Sequence, residues 1–295
     1  LLELYSNKLK GADSTVPHDL ITAMGDSIDK GLEDPALTAC LLEVPEKHYL
    51  AQFLREIDPE ILQKSYEHFT RQVSESLSEK IEPLYRELHQ KNLGLSQRDM
   101  ALRTFKNTLL TYLHAHQPDK VIPLLEKQYQ ESTNMTDRLC SMNLLSRFGG
   151  ETYEKVMNHY LEQWCHDSLI MNKFFLVRSR SLAANAFELV KTCYTSNYFD
   201  RNNPNNLYSL LYSFAQHNWT HFHRTDGEPY HWLADQIIEV DQHNPQVASR
   251  LVSSFNSWKI FEPQRQQAIK KALQVIKDSS PSNNVFEIVS RALDS

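Results

Sequence analysis

Between residues 118 and 194 the sequence divides into five stretches, each about one helix long: PDKVIPLLEKQYQES, NMTDRLCSMNLLSRF, GGETYEKVMNHYLEQW, HDSLIMNKFFLVRSRS and LAANAFELVKTCY. A few polar or glycine residues separate each from the next. No segment sustains the alternation of a strand bounded by turn residues. Only 7 glycines occur in 295 residues, which argues against a β-sandwich or barrel with many tight turns. Short amphipathic helices on short links pack antiparallel with their neighbours. A succession of them predicts an all-α superhelix of antiparallel helix pairs, HEAT- or armadillo-like. No clean sequence period is present, so the repeat is structural rather than literal.

The flanking segments agree. In 14–31, Val16, Leu20, Met24 and Ile28 fall at helical spacing behind a Ser14 or Thr15 cap. Pro35 opens a short helix and Pro45 closes it. Residues 59–91 carry the longest helical signal, with Leu62, Phe69, Val73, Leu77, Ile81, Leu84 and Leu88 on one stripe. Pro83 is expected to kink or interrupt it, since proline removes one backbone hydrogen bond and crowds the preceding turn. Ser96 caps the next helix, striped by Met100, Phe105, Leu109 and Leu113. Residues 195–206 read as a loop and 207–216 as a helix. No linker is long enough to set off a second domain, so 1–295 reads as one helical domain.

Composition narrows the function. Hydrophobic residues make up 41% of the chain, enough for a core. The net charge of −6 and the scatter of 31 basic residues disfavour nucleic acid as a partner. No apolar run approaches the ~18 residues that span a membrane. No GxGxxG or GxxxxGK[ST] loop is present to cradle a nucleotide. Cys40, Cys140, Cys165 and Cys193 form no CxxC pair and read as small buried hydrophobes in a reducing compartment. His114 and His116, like His221 and His223, are i, i+2 pairs, which face apart on a helix. Neither HExxH nor GxSxG occurs, so no residue is assigned as catalytic or as a metal ligand. The chain also lacks an initiator methionine and opens inside an apolar pattern, as a piece of a larger protein would.

Two segments invite a binding role. HNPQVASRLVSSF, residues 243–255, starts like a helix: Asn244 can cap it, and Pro245 suits its first position. Val247, Leu251 and Phe255 form its apolar stripe. Gln246 and Arg250, four apart, share another face, where they can offer donors to an anionic or carbonyl-bearing ligand. An ion pair, for example with Asp241, is the alternative use of Arg250. The link 219–232 concentrates aromatic and charged residues, as a binding surface would. The other reading of it is a buried corner with hydrogen-bonded Trp and Tyr.

Several stretches together resemble the C-terminal helical domain of bacterial aminopeptidase N, a zinc metallo-aminopeptidase. They are ALTACLLEVPEKHYLAQFLREIDPEI (36–61), NMTDRL (134–139), LIMNKFFLVRS (169–179), NPNNLYSLLYSFA (203–215), FHRTDGEPYHWLAD (222–235) and NPQVASRL (244–251). In that family a separate, preceding domain carries the zinc-binding HExxH helix and the GxMEN loop; neither motif is in this chain. The resemblance implies a lid over that catalytic domain, enclosing a chamber in a cytoplasmic protease that hydrolyses N-terminal residues from peptides. The lid itself would hold no zinc and hydrolyse nothing. Its partners would be its own catalytic domain and the peptide substrate. Carried over to the matching helix, the residues meeting the peptide's C-terminal side are Gln246 and Arg250. The alternative is a helical-repeat scaffold whose concave face binds a protein partner.

Overall fold

The computed structural model describes residues 1–12 and 14–294. Most of them lie in helices. Among them no strand forms, only an isolated bridge between Ile57 and Phe261. The five stretches of 118–194 become helices at Pro118–Glu131, Met135–Leu145, Gly150–Trp164, Ser168–Ser179 and Ala186–Tyr194. The all-α, helical-repeat class expected from the links is therefore the class observed. The chain divides into two compact units, Leu1–Phe53 with Ile61–Leu145, and Leu54–Glu60 with Ser146–Ser295.

The longest helix, Pro59–Gln90, belongs to the first unit from Ile61 onward. Of the kink or interruption expected at Pro83, the interruption does not occur: the helix continues through it. Ile81, Tyr85 and Leu88 are fully buried on both sides of the proline. That burial outweighs the one hydrogen bond the proline removes. Tyr85, rather than the half-buried Leu84, continues the stripe. The helix expected from residue 14 starts later, at His18, and leaves Leu20 exposed.

NMTDRL organises the polar interior of this unit. Asn134 accepts the Asp137 N–H at 2.9 Å and so starts the Met135–Leu145 helix. The buried Asp137 carboxylate accepts from Lys106 Nζ at 2.8 Å, Asn107 Nδ2 at 2.9 Å and Asn134 Nδ2 at 3.0 Å. Gln128 joins Asn107 to the Asp137 carbonyl and takes the Tyr85 hydroxyl. Burial alone would raise the Asp137 carboxyl. The hydrogen bonds of Lys106, Asn134 and Asn107 overcome it and hold the group below the usual carboxylate range.

In the second unit Glu228–Asp241 packs against both Pro245–Val252 and Pro263–Asp278. Asn283–Asp294 packs on the last two of these. Ser168–Ser179 packs on Ala186–Tyr194 and on the segment from Tyr208.

The Asp137 network yields a stability prediction for the first unit. Asp137→Ala leaves Lys106 buried without its anion, so the loss should be about 3–5 kcal/mol. Urea unfolding measures it, and a loss below about 1 kcal/mol would show that the network is dispensable.

Candidate functional groove

The helix Pro245–Val252 begins as its sequence dictates. Asn244 Oδ1 accepts the Val247 N–H at 3.2 Å, and Pro245 occupies the first turn. Val247, Ala248, Leu251 and Val252 are buried. The α-helix ends at Val252, and Phe255 enters the core from a following 3₁₀ turn, Ser253–Phe255. With the apolar face committed, Gln246 and Arg250 are left exposed together. They line an open groove of ≈ 620 Å³ with Tyr208, Tyr212, Ser249, Ser253 and Ile288.

The opposite wall is not the plain helix expected at 207–216. Asn203 caps Pro204–Leu207 by accepting the Asn205 N–H at 3.0 Å. The chain then widens into a π-helical segment, Tyr208–Tyr212, before Ser213–His217 resumes the α-helix. The Ser213 N–H reaches back five residues to the Tyr208 carbonyl. Leu207, Leu210, Leu211 and Phe214 are buried, while the half-buried Tyr208 and Tyr212 line the groove. Asn218, fully buried, fastens the end of this segment: its Nδ2 donates to the Ser179 and Ser181 carbonyls at 3.0 and 2.7 Å.

Arg250 does not make the ion pair weighed from the sequence. Asp241 instead accepts the Ser282 N–H at 2.7 Å and hydroxyl at 2.6 Å. Among the described residues Arg250 has no carboxylate partner; its guanidinium lies 4.9 Å from the Tyr212 ring centre. Arg201, beside a smaller cavity, is by contrast neutralised by Glu239 at 3.0 Å. The Ser249 and Ser253 hydroxyls donate to the Gln246 and Arg250 carbonyls. The donors among its lining side chains are therefore the Gln246 amide, the Arg250 guanidinium and the Tyr208 and Tyr212 hydroxyls. It can hold one anionic or carbonyl group beside apolar surface. Residues 1–294 match the family described as "Domain of unknown function (DUF3458_C) ARM repeats". The chain belongs to this family.

It is similar to aminopeptidase N of Haemophilus influenzae, 29% identical over 96% of this chain and 33% of that protein. Aminopeptidase N of Escherichia coli is 30% identical over 88% of this chain and 30% of that protein. The chain thus spans about a third of the length of these relatives. The crystal structure of Legionella pneumophila aminopeptidase A in complex with aspartic acid superposes with a TM-score of 0.90. That superposition covers 99% of this chain and 35% of the Legionella chain at 22% identity, a likeness of fold. Together these matches support the resemblance to the C-terminal domain of aminopeptidase N.

The sequence-derived pair Gln246 and Arg250 is brought together in one groove. Tyr212 and Ile288 escaped sequence reasoning. The i, i+4 spacing of the tyrosines was visible in NPNNLYSLLYSFA, but the π turn that presents them was not. The link 219–232 is chiefly the buried corner: Trp219, Phe222, His223 and Tyr230 are all buried. Its Arg224 pairs with Asp226. Gly227, at φ +71°, is required there, because a Cβ would also meet that of Ala268 at 2.9 Å. Of the four cysteines expected to be buried, only Cys193 is. Cys140 and Cys165 are half-buried, and Cys40 is exposed at the end of the short helix Pro35–Leu41. Among the described residues no three His, Cys, Asp or Glu side chains converge as metal ligands. Among the described residues no helix is long and apolar enough to cross a membrane.

His223 makes the corner pH-sensitive. Its Nδ1 lies 2.9 Å from the Tyr230 hydroxyl, its ring 4.1 Å from Phe261, and Arg265 Nε donates to its carbonyl. Burial, reinforced by the Arg265 cation, lowers the imidazole pKa to about 3. An unfolded chain protonates this histidine near 6.5. Between those values the unfolded state therefore holds the extra proton. Stability is fully present above about pH 6.5 and falls as the pH drops towards 3. From pH 7 to pH 5 this one group should remove about 2 kcal/mol. Urea unfolding at both pH values should show a smaller loss for His223→Gln than for the native chain. Equal losses in the two proteins would rule the linkage out.

Proposed function

We propose that residues 1–295 form the C-terminal helical domain of a metallo-aminopeptidase whose catalytic domain precedes it. There the domain acts as a lid, encloses the substrate chamber and meets the peptide on its C-terminal side. The single observation that carries this is Arg250. It stands beside Gln246 in an open groove, without a carboxylate partner among the described residues, on the NPQVASRL helix through which the chain resembles aminopeptidase N. Arg250 pairs with the peptide's carboxylate or a carbonyl, and Gln246 bonds the peptide backbone.

The division of labour follows from the same side chains. The groove supplies donors and one positive charge, but no base and no nucleophile poised beside one. Its residues can bind and orient a peptide; they cannot cleave it. Bond cleavage falls to the preceding domain, where by resemblance to the family a zinc ion activates the attacking water. The described residues of this chain gather no set of ligands for that ion. The chain's partners are then its own catalytic domain and the peptide, in a cytoplasmic enzyme.

Kinetics of the full-length protein test this assignment. Arg250→Ala should raise KM for tripeptides about tenfold, the effect of removing one charge-assisted hydrogen bond. It should leave single-residue chromogenic amides unchanged, since these do not reach the groove. An equal loss on both substrates, or on neither, would remove Arg250 from the distal end of the site.

A further inference from the structure

The π-helical segment Tyr208–Tyr212 gives the groove an aromatic wall, and this wall defines what accompanies the anion. Tyr212 places its ring centre 4.9 Å from the Arg250 guanidinium carbon. The Tyr208 ring follows at 6.2 Å from that of Tyr212, inclined at 76°. A guanidinium held over an aromatic face uses none of its donors for that contact, so all five remain for a ligand. Arg and Lys side chains are otherwise flexible, and a fixed plane is what two-point recognition of a carboxylate needs. Among the described residues Arg250 has no ion pair to fix that plane, which leaves the Tyr212 ring to do it.

The remaining lining sets the class of ligand. Arg250 is the one cation among the groove's lining residues, so one negative charge is matched there and a dianion is not. Ser249 and Ser253 spend their hydroxyl hydrogens on backbone carbonyls. Tyr208 and Ile288 add ring and aliphatic surface to the same groove. A carboxylate on a small residue would leave that surface wet, whereas a large side chain would cover it.

Resting on the lid assignment above, we propose that Tyr212 is a positioning residue for Arg250, and that Tyr208 and Ile288 select peptides ending in a large apolar residue. The preferred substrate is a short peptide with a free carboxylate on Phe, Leu or a similar side chain.

The test uses the full-length enzyme with Ala-Gly-Phe, Ala-Gly-Gly and alanine p-nitroanilide, and measures KM and kcat separately. The native enzyme should show a lower KM for Ala-Gly-Phe than for Ala-Gly-Gly, and Tyr208→Ala should narrow that gap. Tyr212→Leu should raise KM for both tripeptides about two- to fivefold, with kcat unchanged. It should leave the anilide untouched, and Tyr212→Phe, which keeps the ring, should behave as native. If Tyr212→Leu lowers the melting temperature, Tyr212→Met replaces it as the ringless variant. If Arg250→Ala raises the tripeptide KM while the ringless variant does not, the positioning role is overturned and the lid assignment stands. If Arg250→Ala is itself silent, both fall. Equal KM values for the two tripeptides in the native enzyme would overturn the apolar selection.

Discussion

The burial of one face of a two-turn helix fixes the groove. Val247, Ala248, Leu251 and Val252 are enclosed where Pro245–Val252 packs on Glu228–Asp241 and Asn283–Asp294. Each large aliphatic side chain taken out of water contributes about 1.5–3 kcal/mol. Rotating the helix to hide Arg250 would expose three of them. The orientation of Gln246 and Arg250 thus follows from the core, and no ion pair is needed to hold it. Asn244 and Pro245 reinforce this by fixing where the first turn begins.

The polar interior works by a different rule. Asp137 is buried with Lys106 and Arg103 close by, and the Lys106, Asn107 and Asn134 side chains donate to its two oxygens. Such a cluster adds little over a well-packed apolar core, but a structure that removes one member is heavily penalised. It therefore specifies which helices come together: residues from 97–116, from 118–131 and from the start of 135–145 must all arrive in register. NMTDRL earns its place in the sequence through this role, in a unit that does not contain the groove.

Much of this was legible in the sequence. Helical spacing, the Asn244-Pro245 start and the scarcity of glycine lead to the class of fold and to the exposed pair Gln246 and Arg250. What sequence could not supply were outcomes decided by packing. Pro83 stays inside a helix because Ile81, Tyr85 and Leu88 are buried around it. The π turn at Tyr208–Tyr212 is invisible to a period-3.6 reading, since the extra residue appears only as a small shift in which positions are apolar. The link 219–232 divided evenly between surface and corner on composition. His223 decides it, because its ring is enclosed between Phe261 and the Tyr230 hydroxyl.

Charge distribution adds the last constraint. The chain has 37 acidic residues against 31 basic ones, so an arginine has no shortage of carboxylates to meet. Arg178 takes Glu154, Arg201 takes Glu239, and Arg265 takes Glu262. Asp241, on the helix packed directly against that of Arg250, turns its oxygens to Ser282 instead. An exposed arginine gains little from an ion pair, so folding energy alone places no strong demand on it. Where such a residue is kept clear of acids and laid over a tyrosine, its positive potential remains available at the groove. That is the electrostatic condition for receiving an anion from outside the chain.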